Sequence, residues 1–321
     1  MIIGTRDRGA GRQSPARERR FDPNGVSVTK AYLALAAACG LCGLVASPAA
    51  QAAPEWQQVG SGITGGVSGM AVTGSTAAGT DAVIVRDNKE DGQNRVALVR
   101  VPASGAATST DLAWSGELPT DLEAIDAVPG KAGEFVALAS SGTAYLITVD
   151  SAKATVVRSF PLPDLDDKAN YEGFALSAIG GKTVAVWADR GKDAEPGVVS
   201  AAEVDLGQGK FSAPVSAKFT APYPEKKVRH VSDVKVLADG ALVISSASDN
   251  GDDGPFDSAL YRGGTVKLDG DRVALDTVKD PTPVAKYEGH KIEALACGAA
   301  SGVLGTDDEN LGGFVRLANF C

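Results

Sequence analysis

Histidine is almost missing from this chain and cysteine is scarce, with two His and four Cys among 321 residues. Zinc centres are built from His and Cys, so His230 and His290 make zinc a poor match. A nucleophilic triad is disfavoured too, because there is no G-x-S-x-G elbow and a histidine base has few candidates. A membrane span needs about 20 apolar residues, and the apolar stretch from Ala31 to Val45 falls short of that. Long amphipathic helical patterns are lacking, since Gly and Pro interrupt the chain often.

Basic residues concentrate at the start. Arg6, Arg8, Arg12, Arg17, Arg19, Arg20 and Lys30 precede the apolar stretch, and Ser47-Pro48-Ala49-Ala50-Gln51-Ala52 follows it. This is the pattern of a secretory signal with an Ala-x-Ala cleavage site. Residues 1–52 are therefore expected to be a signal peptide with an extended basic region, and residues 53–321 a single secreted domain. The basic segment is long enough that Val26 or Val28 is an alternative start. Losing seven basic and three acidic residues with the leader moves the net charge from −9 to −13. So acidic a chain is unsuited to nucleic acid or an anionic membrane, and a monomer with neither partner is expected.

One short signature returns five times. A Ser or Glu sits in a small apolar run, as GVSGMAV around Ser68, DLEAIDAV around Glu123, NYEGFAL around Glu172, HVSDVKVL around Ser232 and HKIEALA around Glu293. The spacings are 55, 49, 60 and 61 residues; a propeller blade of four short strands needs roughly 40 to 50. An all-β fold is expected, a five-bladed β-propeller with the five signature residues facing a central polar or cation-binding channel. Trp56-Gln57-Gln58-Val59 would supply the last blade's missing strand and close the ring.

Each signature is followed by a second strand-like run, which should return antiparallel to the same face. Its ends are Arg86-Asp87, Ser140-Ser141, Asp189-Arg190, Asp249-Asn250 and Asp307-Asp308-Glu309-Asn310, predicted to rim one opening. Cys297 and Cys321 survive cleavage of the leader and read as one disulfide in an exported protein; a buried free Cys297 with an exposed Cys321 is the alternative.

Three glutamates and two serines around one axis offer hard oxygen ligands, which suits calcium. The metal shell would be Ser68, Glu123, Glu172, Ser232 and Glu293. Alternatively these groups bond backbone amides and channel waters. Asp249-Asn250-Gly251-Asp252-Asp253-Gly254 resembles the start of a calcium loop, but Leu260 stands where such a loop ends in Glu; it is a second cation site or a solvated turn. His230 reads as a structural histidine or a residue facing the opening. Arg86 and Arg190 could clamp a phosphate or carboxylate, or be surface ion pairs.

The order Ser, Glu, Glu, Ser, Glu, with His230-Val231-Ser232 in the fourth repeat, resembles the calcium-activated nucleotidase (apyrase) family. GVSGMAV, NYEGFAL, HVSDVKVLADGALVIS and GTDDENLGG are also similar to the phytase-like (esterase-like activity of phytase) propeller family. The resemblance implies calcium in the central tunnel and hydrolysis of nucleotides or phosphate esters. Gly69 stands where the nucleotidases have a further acidic ligand, and Ala follows Glu123 and Glu293 where Gly is commoner. Two functions are expected. One is a calcium-dependent phosphohydrolase of a phosphorylated small molecule, with Glu172 or the rim Asp189 positioning water and Arg86, Arg190 and Lys235 stabilising charge. The other is a non-catalytic propeller, stabilised by calcium, that binds an extracellular ligand or protein. Whether Arg86, Arg190, Arg229 and Lys235 converge decides between them.

Overall fold

A computed structural model describes residues 55–321; the expected leader and its cleavage site lie outside them. Short Val-, Leu- and Ala-rich runs separated by Gly and Asp turns fold as strands throughout, and no α-helix occurs among the described residues. Chain order is β1 (Gln57–Gln58), β2 (Gly69–Thr76), β3 (Gly79–Val85), β4 (Val96–Pro102), β5 (Thr108–Ser115), β6 (Leu122–Ala127), β7 (Glu134–Ala139), β8 (Thr143–Val149) and β9 (Lys153–Pro161). Next come β10 (Tyr171–Ile179), β11 (Lys182–Asp189), β12 (Gly197–Asp205), β13 (Lys210–Phe211), β14 (Val215–Phe219), β15 (Val228–Val236), β16 (Ala241–Ser248) and β17 (Asp257–Asp269). The last are β18 (Arg272–Thr277), β19 (Ala285–Glu288), β20 (Ile292–Cys297), β21 (Gly302–Thr306) and β22 (Phe314–Ala318).

The strands form antiparallel meanders: β2 to β5, β6 to β9, β10 to β12 with β13 and β14, β15 to β17 with β18 and β19, and β20 to β22 with β1. The inner strands β2, β6, β10, β15 and β20 each pack against the next, and β20 packs against β2. The result is a β-propeller. β1 pairs with β22 in the register Gln57 to Val315 and Gln58 to Phe314, so the N-terminal strand covers an otherwise open edge. The outermost strands of the first two meanders meet in a short parallel pairing, Ala113–Ser115 against Lys153–Thr155. Cys297 and Cys321 are joined, tying the chain end to the innermost strand of the last blade.

Apolar residues fill the space between adjacent blades, with Phe174, Trp187, Phe219 and Tyr261 among the buried aromatics. Burial of such side chains contributes roughly 1.5–3 kcal/mol each. The ring's centre is held differently, because neighbouring inner strands share no backbone ladder. Side chains stitch them instead. Asp126 of β6 accepts the Leu176 amide of β10 at 2.8 Å, and Asp233 of β15 accepts the Leu295 amide of β20 at 2.8 Å. Lys235 donates to the Phe174 carbonyl at 2.8 Å and to Asp233 at 3.1 Å. The approach between inner strands is tight: a Cβ on Gly69 would lie 2.6 Å from the Ala124 Cα, so an acidic side chain at position 69 has no room.

Candidate functional site

The repeat places its signature residues by a shared irregularity. Strand register shifts between Leu122 and Ala124, between Tyr171 and Gly173, between Arg229 and Asp233, and between Ile292 and Ala294. Each is a bulge at or spanning Glu123, Glu172, Ser232 or Glu293, and a bulge re-aims a side chain out of the normal alternation. The small neighbours Ala124, Gly173 and Ala294 let the bulged strand pass close to the next one. Ser68 sits just ahead of β2, where its Oγ accepts the Asp87 amide at 3.1 Å. All five signature residues are buried.

Arg229 occupies the middle of the cluster. Its Nη1 lies 3.2 Å from Glu172 Oε1 and 2.6 Å from Glu293 Oε1, and its Nη2 lies 3.6 Å from Asp249. Arg190 Nη1 adds a second contact to Glu172 at 2.8 Å. Lys291 reaches Glu293 at 3.1 Å and Glu309 at 2.5 Å. Burial acts to lower both cationic pKa values, but the surrounding carboxylates win and raise Arg229 and Lys291 above their ordinary values. Burial raises Glu172, opposed chiefly by Arg229; its two guanidinium contacts mark it as the ionised carboxylate.

Among the described residues no cation is in ion-pair contact with Glu123, Asp87 or Asp307. Burial, followed by the charges of Glu172 and Glu293, pushes Glu123 well above the ordinary carboxyl range. Burial and then Glu293 do the same to Asp307, and Asp87 is pushed up to about 6 by burial and then Glu293. These three are acids that hold a proton where an exposed carboxyl would not. Two residues at the mouth have left-handed backbones, Asp121 at φ 63° and Glu309 at φ 52°. Each contacts a lysine, Lys89 to Asp121 at 3.0 Å and Lys291 to Glu309. Such strain persists only where surrounding contacts fix it; Ser140 donates to Asp121 from both its amide and its hydroxyl.

Several expected roles are corrected. Arg86 does not join Arg190 and Arg229: its Nη1 bonds the Gly66 carbonyl at 2.9 Å and its Nε the Asn94 side chain at 3.3 Å. Lys235 is committed to Phe174 and Asp233 inside the ring. Asp189 caps the loop before β10 by accepting the Asn170 amide at 2.9 Å. His230 is structural, its Nδ1 accepting the Ala221 amide at 3.1 Å while Nε2 lies 2.8 Å from the Asp193 carbonyl. The 249–254 loop gathers no ligand set: Asp253 accepts from Asn310, and Asn250 bonds Ser248 and Pro255.

A guanidinium lies at the centre of the expected calcium shell. Arg229 stands between the two carboxylates that an ion would have bridged, and among the described residues no three His, Cys, Asp or Glu gather as metal ligands. Lys291 was missed by sequence reasoning, and Arg229 was named there only as one of four basic residues that could converge. The available signal was their place, Arg229 three residues before Ser232 and Lys291 two before Glu293.

No family model matches the chain, and no curated protein matches it. Among solved structures it is similar to the α-L-arabinofuranosidase PaAbf62A from Podospora anserina crystallised with cellotriose, at 13% identity and TM-score 0.49, covering 83% of this chain and 98% of that one. It is similar to an exo-1,5-α-L-arabinanase from a bovine ruminal metagenomic library, at 10% identity and TM-score 0.49, covering 80% and 94%. A third, titled a glycoside hydrolase, has 9% identity and TM-score 0.45 over 81% of this chain; the chain spans 62% of its length. These findings correct the expected phytase-like and nucleotidase resemblance, since the structures found carry glycoside hydrolase names instead. Neither a phosphohydrolase of a phosphorylated small molecule nor a calcium-stabilised propeller that binds a ligand or protein finds support among them. With TM-scores under 0.5, the likeness passes neither a name nor a reaction to this chain.

Proposed function

We propose that this protein is a hydrolase of glycosidic bonds. One observation carries the reading: a buried acid with a raised pKa, Glu123, lies in the field of Glu172 and Glu293, whose charges are fixed by Arg229. Acetal cleavage needs this division of labour. One carboxylic acid protonates the leaving oxygen, while a carboxylate assists water or the anomeric carbon and faces the positive charge that develops on the sugar. Glu123 is the acid, and Glu172 or Glu293 the carboxylate. The C–O bond breaks as the Glu123 proton moves to the leaving oxygen, water supplies the new oxygen, and its proton goes to a carboxylate.

The surrounding charge favours a neutral substrate. Asp249, whose pKa is lowered, and the Glu172 and Glu293 carboxylates would repel an anion, and an oxocarbenium-like transition state would be stabilised by them. The disulfide suits an oxidising compartment, no helix among the described residues is long and apolar enough to cross a membrane, and the leader expected from the sequence would make this an exported enzyme.

The test is release of aryl alcohol from a panel of aryl pentosides and hexosides, and of reducing ends from plant-wall oligosaccharides. Glu123→Gln removes the proton while keeping the shape, and should lower kcat by roughly 10²–10⁴-fold, the usual worth of a general acid. A panel with no turnover, or a Gln variant as active as the parent, would sink the proposal.

A further inference from the structure

A cavity lies beside the channel mouth, not over it. It measures about 630 Å³ and is walled by Thr64, Arg86, Asn88, Asn94, Ser109 and Asp111. Gly66 lies between its Arg86 and one of the acids. On the cavity side, Arg86 Nη1 bonds the Gly66 carbonyl at 2.9 Å. On the channel side, the Asp307 carboxyl lies so close that a Cβ on Gly66 would be 2.3 Å from it. Asp87 stands between Arg86 and Asn88 in the chain and faces the other way, where it feels Glu293.

The polar groups of this cavity are incompletely used. Ser109 Oγ is buried and has no hydrogen-bond partner, a condition that native proteins tolerate rarely and that points to a bound polar molecule. Arg86 is 4% exposed, yet its Nη2 reaches only Asp111, at 3.7 Å, beyond hydrogen-bond distance. Asp111, first among the charges that oppose the lowering of the Arg86 pKa by burial, sets a negative charge beside the guanidinium. A guanidinium edge and a hydroxyl beside a carboxylate present donors and acceptors side by side with little net charge. Vicinal hydroxyl groups, each both donor and acceptor, match that pattern. An anion would meet Asp111 and a chain whose formal net charge is −9.

We propose that this cavity is a binding site for a neutral polyhydroxylated ligand, a sugar unit, with Ser109, Arg86 and Asp111 as its polar contacts. Its service as a substrate subsite rests on the glycosidase reading; the binding itself does not. Calorimetry and saturation-transfer NMR on the purified protein would use D-xylose, L-arabinose, D-galactose and their disaccharides, with inorganic phosphate and D-glucuronate as anionic probes. At least one neutral sugar should bind. Ser109→Leu, which fills the cavity, and Asp111→Ala, on an exposed side chain that folding does not need, should each weaken it about tenfold, the worth of a lost hydrogen-bond partner. Val284→Ala, at an exposed side chain on another blade, should bind as the parent does. The proposal is overturned if no neutral sugar binds, if both cavity variants bind unchanged, or if phosphate or glucuronate binds in preference. Sugar binding without turnover would leave the site standing and remove the glycosidase reading. Turnover with KM unchanged in both cavity variants would do the reverse.

Discussion

The arc of the channel built by β10, β15 and β20 carries its carboxylates as ion pairs, whereas the arc built by β2 and β6 carries them as acids. On the first, Glu172 and Glu293 share Arg229, and Arg190 and Lys291 complete the compensation. On the second, Glu123 and Asp87 are raised by burial and by the charges across the channel, and Asp307, which follows β21 and lies against Gly66, is raised with them. One repeat has therefore been solved twice, by guanidinium on one side and by protons on the other. The asymmetry separates a proton donor from its carboxylate partners within one small channel. Had every blade carried its own arginine, no acid would remain.

Arg229 is the test of the paired arc. Arg229→Met deletes the cation while keeping bulk, leaving Glu172 and Glu293 unpaired and buried; breaking such a pair costs about 3–5 kcal/mol. At about 2–4 °C per kcal/mol for a domain of this size, Tm should fall by roughly 10 °C, as measured by calorimetry. A change under a few degrees would mean that the carboxylates have another source of compensation. Arg229→Lys should lie between, since one ammonium cannot serve both carboxylates as the planar guanidinium does.

The proton-held arc gives a pH dependence of fixed sign. Asp87 at about 6, and the inter-strand stitch Asp233 at about 7, bind protons in the folded state that the unfolded chain, near 4, has released. Stability is therefore greatest near pH 4–5 and falls as pH rises through 6 and 7. A raise of about two units in Asp87 is worth about 3 kcal/mol by linkage. Asp249, whose pKa Arg229 lowers, works in the opposite sense below pH 4. Denaturant titrations at several pH values would show the slope; a Tm that rises from pH 5 to pH 8 would contradict the acid assignment.

Much of this fold was legible beforehand because it repeats. Ser68, Glu123, Glu172, Ser232 and Glu293 recur at blade spacing, and Gln57 and Gln58 pair with the last blade as the strand pattern required. The disulfide followed from two cysteines 24 residues apart in a chain expected to be exported. What compensates the carboxylates was not legible. Arg229, Lys291, Arg86 and Lys235 look alike as basic residues beside strand ends. Only the bulge between Arg229 and Asp233 turns the first inward, while Arg86 is drawn away by a loop carbonyl at Gly66. Position along a strand is periodic and can be read; the aim of a long cationic side chain is set by irregularities that leave no period.

Glu123→Gln sharpens the contrast on the acid side. Since Glu123 already holds its proton, an amide of the same shape removes little, and it relieves repulsion from Glu172 and Glu293 when pH rises. Stability at pH 5 should change by less than about 0.5 kcal/mol, and at pH 8 it should rise by about 1 kcal/mol. The same substitution at Glu293 removes an ion-pair partner from Arg229 and Lys291 and should destabilise at both pH values. Equal effects of the two substitutions would erase the distinction between the arcs.

The smallest effect expected is that of calcium. If guanidinium and protons together neutralise the channel, millimolar calcium should shift Tm by no more than about 1 °C, because a ligand stabilises only in proportion to its occupancy of the folded state. Excess chelator should shift it as little. In the Arg229→Met variant the balance changes: Glu172 and Glu293 lose their shared cation, and calcium gains a place to act. A calcium-dependent rise in Tm that appears in this variant and not in the parent would show Arg229 to be the internal substitute for a metal. A rise of several degrees in the parent would mean that the ion displaces the guanidinium, and the paired arc would then have to be redrawn around a cation.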